Sequence, residues 1–303
     1  MRLALPRDFT ARYGADVRKG VVLGGGGVWF VAWQTGYLRR LVELGIHLGD
    51  ADRFVGTSAG SVVASILSGE RLRGFGRTVD LLAAAPRLIA ALAPAGTLAP
   101  SQVHALDTFR AARDCHPETL RAIGFAALAA HTPSRESTAR NLGLLLRMRR
   151  WPSSRLHITC VDTYTGERCV VTQATGVHIT RAVAASSAVP GIFAPQQIRD
   201  RRCMDGGVSG TGVHLDLIAG AERALVISLL GATRDDIPWG TMAPGDIERE
   251  QESLTACGTR VLRLCPRMPI PEDLMDPGLA AEAVTHGARQ ADDDADAIRS
   301  FWA

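Results

Sequence analysis

Short β-branched runs separated by longer stretches of helical periodicity constrain this chain more than any other feature. The strand candidates are 21–23, 54–55, 156–161, 169–172, 224–230 and 261–264. Helical patterns fall at about 28–44, 58–68, 78–93, 101–130, 137–150, 179–187 and 278–301. Parallel strands need crossover connections, and a helix is the compact way to build one, so this alternation leads to an α/β fold. The expected architecture is three-layer α/β/α around a central, mostly parallel sheet. With 303 residues, 46% hydrophobic and 21% charged, the chain can bury a sizeable core without disulfide or metal staples. Residues 1–18 read as an N-terminal extension and 19–303 as one domain. Within it, about 70–150 is rich in Ala, Leu and Arg and poor in strand signal, which suggests a helical insertion acting as a cap.

Several classes are excluded by what the chain lacks. Its 34 basic and 31 acidic residues nearly cancel, to +3, so no nucleic-acid partner is expected. No apolar run reaches the ~18 residues that a membrane-spanning helix requires. The first residues offer too short an apolar stretch for a signal peptide, so a cytoplasmic location is expected. The six cysteines contain no Cys-x-x-Cys pair and read as reduced, mostly buried thiols. The acidic run Asp292, Asp293, Asp294 and Asp296 reads as a solvated helix face rather than a metal site, and no metal or cofactor is expected.

Chemistry concentrates in three glycine-bearing segments. Gly24 to Gly27 follow a strand and open a helix, a setting that exposes backbone N–H groups to an anion. A dinucleotide fingerprint would need glycine at 29 or 30, where the chain has Trp29 and Phe30, so the oxyanion of an acyl-transfer intermediate is the better match. Gly56-Thr-Ser58-Ala-Gly60 lies between a short strand and a small-residue helix, the setting of a nucleophile elbow. A base for Ser58 could come from a triad histidine, His214 or His286, or from Asp205 in Arg202-Cys-Met-Asp205-Gly-Gly207. Trp29 and Phe30 are expected either in the core beneath the first helix or lining an acyl pocket. With Thr57 and Ala59, which flank Ser58, they are the candidate substrate-binding residues.

Taken in order, Gly-Gly-Gly-Gly, Gly-Thr-Ser-Ala-Gly and Asp-Gly-Gly resemble the patatin-like phospholipase family. Ala32-Trp-Gln-Thr-Gly-Tyr-Leu38, Ala185-Ser-Ser-Ala-Val-Pro-Gly-Ile-Phe193 and Leu274-Met-Asp-Pro277 extend the likeness from about residue 18 onward. The resemblance implies a serine acyl hydrolase that uses a Ser–Asp dyad. Ser58 would be the nucleophile, Asp205 its base, and the amides of Gly25, Gly26 and Gly27 the oxyanion hole. It implies an acyl-ester or lipid substrate and no cofactor. Where many members carry Arg, Lys or a small polar residue followed by glycine, this chain has Trp29 and Phe30. Two other readings stay open at this stage: an acyltransferase or cyclase acting on a thioester-linked chain, and a non-catalytic lipid-binding module. The apolar stretch 79–93 reads first as a buried helix pair and the arginines of 146–151 as solvated; transient contact with a membrane surface or an acyl-carrier protein is the alternative.

Overall fold

The computed structural model describes residues 3–85, 97–148, 150–229 and 241–303. The strands are β1 (Lys19–Leu23), β2 (Arg53–Gly56), β3 (Leu156–Asp162), β4 (Arg168–Val171), β5 (Gln196–Ile198), β6 (Arg201–Asp205), β7 (Arg223–Ile227) and β8 (Arg260–Leu264). They form one sheet in the order β5-β6-β3-β2-β1-β7-β8, with β4 pairing β3 off that path. From β3 to β8 every pairing is parallel, and β4, β5 and β6 add an antiparallel edge. The helices are α1 (Gly27–Glu43), α2 (Ala59–Ser68), α3 (Leu72–Ala84), α4 (Pro100–Ala111), α5 (Pro117–Ala129), α6 (Arg135–Leu146), α7 (Ile179–Ser186), α8 (Asp246–Ala256) and α9 (Ala280–Trp302).

Both faces of the parallel strands are covered, which is why these strands read as continuous apolar runs rather than alternating ones. Val21 and Leu23 of β1 join the core beneath α1, α2, α7 and α9, while Val22 points into the opposite layer with Leu217, Ile247 and Leu254. Helix α1 is the central strut of the thicker layer. Phe30 stacks on Trp33 (centroids 5.7 Å) and Trp33 on Tyr37 (4.8 Å), the i, i+3 and i, i+4 spacings that bring side chains onto one helix face. Tyr37 Oη then donates to Asp294 Oδ2 at 2.8 Å. Asp294 is therefore a buried anchor for α1 and also accepts from Arg267, so the acidic run of α9 is only partly the solvated face that its composition suggests.

The other differences have local causes. The 101–130 pattern is two helices, broken where Ala112 leaves helical geometry ahead of Pro117. Strand β5 has three residues, too few to show periodicity, and α8 exposes most of its surface and so carries little apolar signal. All six cysteines are free thiols, but only Cys160, Cys169 and Cys203 are buried. The apolar stretch expected at 79–93 is helical to Ala84, and its part from 86 onward lies outside the described residues. Among the described residues no helix is long and apolar enough to cross a membrane.

Candidate active site

Strand register brings the three glycine-bearing segments together. Gly56 at the end of β2 pairs with Ile158, and two residues further along β3 Cys160 pairs with Asp205. The turn after Gly56, which carries Ser58, and Asp205 at the end of β6 are thus brought to the same end of the sheet, with only β3 between their strands. The Gly24–Gly27 loop leaves the neighbouring end of β1, because β1 and β2 are parallel and in register from Gly20↔Arg53 to Leu23↔Gly56.

Ser58 sits at the sharp turn from β2 into α2 with φ 52°, a left-handed conformation unusual for a side-chain-bearing residue. Strain of this kind costs on the order of 1–3 kcal/mol and persists where its surroundings over-determine it. Here they do. The Ser58 N–H donates to Ser186 Oγ at 2.9 Å, and Ser61 Oγ donates back to the Ser58 carbonyl at 2.7 Å. The turn packs so closely on β1 that a methyl group at Gly60 would overlap the Leu23 carbonyl. The sheet end is tied further by a Thr57–Thr159 hydroxyl contact of 2.7 Å.

The glycine loop lies directly against this serine. A Cβ on Gly25 would come within 3.0 Å of Ser58 Cβ, and Gly27, with φ 62°, opens α1 under the Leu274 carbonyl. Trp29 N–H donates to the Leu274 carbonyl at 3.0 Å and Phe30 N–H to the Gly26 carbonyl at 3.1 Å. The amides of Gly25, Gly26 and Gly27 donate to no described residue, so they are available to a negative charge beside Ser58. Gln34 steadies the loop from within α1, its Nε2 donating to the Gly24 carbonyl at 3.1 Å.

Asp205 ends β6 and caps the short turn Gly206–Val208. Its N–H donates to the Ala188 carbonyl at 3.0 Å, and its Oδ1 accepts from the Gly207 N–H at 2.7 Å. The second oxygen, Oδ2, is buried without a partner of hydrogen-bond geometry. The carboxyl is pushed up to about 7, chiefly by burial, while the nearby Ser58 hydroxyl and the Gly207 N–H pull it down. Among the described residues no hydrogen bond joins the two side chains, although the Ser58 hydroxyl is near enough to lower the Asp205 pKa.

An apolar cavity of about 160 Å³ opens onto Ser58. Its walls come from α1 (Val28, Val31), α2 (Val62), α3 (Val79, Leu82) and α6 (Leu142, Leu145). Of the four expected substrate-binding residues, only Ala59 lines it. Trp29 and Phe30 are buried in the core, and Thr57 is turned to Thr159. The helical period explains the correction. Val28, Val31 and Ala32 present one side of α1 to the cavity, which leaves Phe30, Trp33 and Tyr37 on the side that packs into the core. The two large aromatics thus do not block the cavity.

Neither histidine completes a triad. His214 is fully buried, with Nδ1 3.3 Å from Arg7 and Nε2 3.1 Å from the Gly206 carbonyl, and His286 lies 3.3 Å from Glu282 on α9. The residue that sequence reasoning missed is Ser186, which sits in the Ala185–Phe193 segment but has no motif of its own to mark its role. Among the described residues no cluster of His, Cys, Asp or Glu is arranged to hold a metal ion.

Comparison with known families and structures adds one decisive match. The family model described as patatin-like phospholipase matches residues 21–217. Curated proteins give no match. Among solved structures, VipD from Legionella pneumophila is similar with a TM-score of 0.38 and 12% identity, covering 98% of this chain and 68% of that one. The type III effector protein ExoU is similar with a TM-score of 0.33 and 19% identity, covering 90% of this chain and 53% of that one. This chain thus spans about half the length of ExoU, and similarities at that level carry no weight for the site.

Proposed function

Because the chain belongs to the patatin-like phospholipase family, a family of lipid acyl hydrolases, we propose that it cleaves an acyl ester through a Ser58–Asp205 dyad and a covalent acyl-enzyme. The observation that carries this reading is the convergence of three groups on one spot: a strained, cavity-facing Ser58, a buried Asp205 beside it, and uncommitted glycine amides against it. Asp205 takes the Ser58 proton as Oγ attacks the ester carbonyl. The new oxyanion is held by the amides of Gly25, Gly26 and Gly27, and the acyl chain lies in the apolar cavity. The alkoxide leaves with the proton from Asp205; water then attacks the acyl-serine as Asp205 accepts its proton, and the Oγ–acyl bond breaks as Asp205 returns that proton to Ser58 Oγ and the free acid departs.

Desolvation makes a carboxylate competent here. An ordinary aspartate near 3.9 is too weak a base at neutral pH, whereas one raised to about 7 is matched to the task. The preorganised amides contribute most to lowering the barrier, since loss of a single donor of this kind costs about 2.7–4 kcal/mol.

The cavity walls suit a lipid acyl chain. Leu81 on α3 and Leu144 on α6 are 65% and 64% exposed on helices whose other residues line the cavity, which favours substrate uptake from a lipid surface. The test is release of free acid from p-nitrophenyl esters of graded chain length and from phospholipid vesicles. Ser58→Ala and Asp205→Asn are each expected to abolish release. Wild-type turnover by Asp205→Asn would refute the dyad.

A further inference from the structure

A relay that runs from half-buried Arg7 to fully buried His214 connects the N-terminal segment to the turn that carries Asp205. Arg7 donates from Nη2 to the Ser209 carbonyl at 2.7 Å and from Nη1 to Glu250 Oε1 at 3.0 Å. Arg7 Nη2 also lies 3.3 Å from His214 Nδ1. A guanidinium has no acceptor, so Nδ1 must be the acceptor and the imidazole proton must sit on Nε2. That proton then points at the Gly206 carbonyl, 3.1 Å away. Gly206 is the residue after Asp205 and opens the short turn whose next N–H, that of Gly207, holds Asp205 Oδ1 at 2.7 Å. The chain of contacts Glu250–Arg7–His214–Gly206 therefore ends on the peptide unit next to the carboxylate.

The relay is more than a packed core histidine needs. His214 itself adopts a left-handed conformation, φ 54°, and its ring is fully buried. Charged groups gather around it from four segments: Arg7 from the N-terminal segment, Arg168 from β4, Glu250 from α8, and Asp216 from the turn that His214 opens. Arg168 and Asp216 neutralise each other through contacts of 2.5 and 2.7 Å, and Arg168 also donates to the Leu5 and Pro6 carbonyls. Thr211 donates to the same Glu250 oxygen that Arg7 uses, at 2.8 Å. Burial, with the Arg7 and Arg168 charges adding to it, holds the imidazole well below its usual range and uncharged, and the Arg7 contact sets its Nε2–H tautomer.

We propose that His214, oriented by Arg7, is a positioning residue that fixes the Gly206 peptide and thereby aims the Asp205 carboxylate at Ser58. This rests on the dyad reading. It also gives the segment carrying Arg7 a part in the active site, although that segment contributes no group to the reaction itself.

The test compares His214→Gln with His214→Asn in the full chain, with the active fraction of each counted by fluorophosphonate titration. Gln keeps an amide donor at the position of Nε2 and an acceptor for Arg7. Asn suits the left-handed backbone better but is too short to reach Gly206. The expected result is near-wild-type kcat for His214→Gln and a kcat about 10- to 100-fold lower for His214→Asn, the scale of a small misplacement of a reacting group, with KM unchanged. In His214→Asn the acid limb of the kcat/KM profile should also move to lower pH, because a loosened turn admits water to Asp205. A wild-type kcat and acid limb in His214→Asn would overturn the proposal. So would a loss in His214→Gln equal to that in His214→Asn. If Asp205→Asn itself turns over normally, the dyad is wrong; if Asp205→Asn is dead while His214→Asn behaves as wild type, only the positioning role fails.

Discussion

The backbone N–H of Ser58 donates to Ser186 Oγ at 2.9 Å, while the carbonyl of Ala188, two residues on, accepts the Asp205 N–H at 3.0 Å. One short stretch at the end of α7 therefore holds both members of the proposed dyad. Removing the Ser186 hydroxyl leaves a buried N–H unpaired, which costs about 1–3 kcal/mol. Ser186→Ala should show that loss in urea denaturation together with a reduced kcat. Unchanged stability and turnover would mean that the elbow does not depend on this bond.

Activity should rise with pH through the Asp205 titration. Burial raises that carboxyl to about 7, so the basic form needed for attack accumulates as pH rises through about 7. An acid limb in kcat/KM near that value is the expected outcome. A limb near the ordinary aspartate value of about 3.9 would assign the base elsewhere.

Stability should run the other way. A folded-state pKa raised above the unfolded value means that the native state favours the protonated carboxyl. The Asp205 contribution is fully present below about 3.9 and is lost as pH rises through about 7. Asp205→Asn removes that loss. It should exceed wild type by a few kcal/mol in urea midpoints near pH 8 and converge with it near pH 4, provided both unfold in two states. A gap that does not change with pH would contradict the desolvated carboxyl.

Chain-length preference should respond to the cavity wall. Leu142 lines it from α6, and Leu142→Phe shortens the space available to an acyl chain. Each excluded methylene is worth about 0.8 kcal/mol, so losing three should lower kcat/KM for long esters about 50-fold relative to short ones. A uniform change across the ester panel would place the acyl chain outside this cavity. Leu81→Glu and Leu144→Glu should instead depress hydrolysis of vesicles while sparing soluble short esters.

Helix α1 and helix α9 meet without space for a methyl group. A Cβ at Gly287 would overlap the Trp33 carbonyl, and one at Gly36 would overlap that of Val284. Gly287→Ala should lower stability by about 1–3 kcal/mol in urea melts while leaving turnover per titrated site unchanged.

How much of this could be read in advance follows from the range of each signal. The strand–glycine–helix junctions at Gly24 and Ser58 are local, and they appear where the residue types require them. The inner parallel strands are legible because burial on both faces leaves continuous apolar runs. Asp205 is legible in the sequence as a candidate base in an Asp-Gly-Gly turn and through the family resemblance, whereas the antiparallel pairing of β6 with β3 that brings it to the Ser58 end of the sheet has no local pattern to encode it. The aromatic pair Trp29 and Phe30 could be given either role, because the choice depends on which side of α1 meets α9. The Ser186 and His214 contacts join residues far apart in sequence and have no periodicity to reveal them.

The most direct test is to mix the protein with a short p-nitrophenyl ester, quench in acid within milliseconds, and map the acylated peptide by mass spectrometry. The proposed mechanism predicts one acyl group per chain on Ser58 in wild type and none in Ser58→Ala. Acylation of a different residue, or ester turnover that persists in Ser58→Ala, would contradict it.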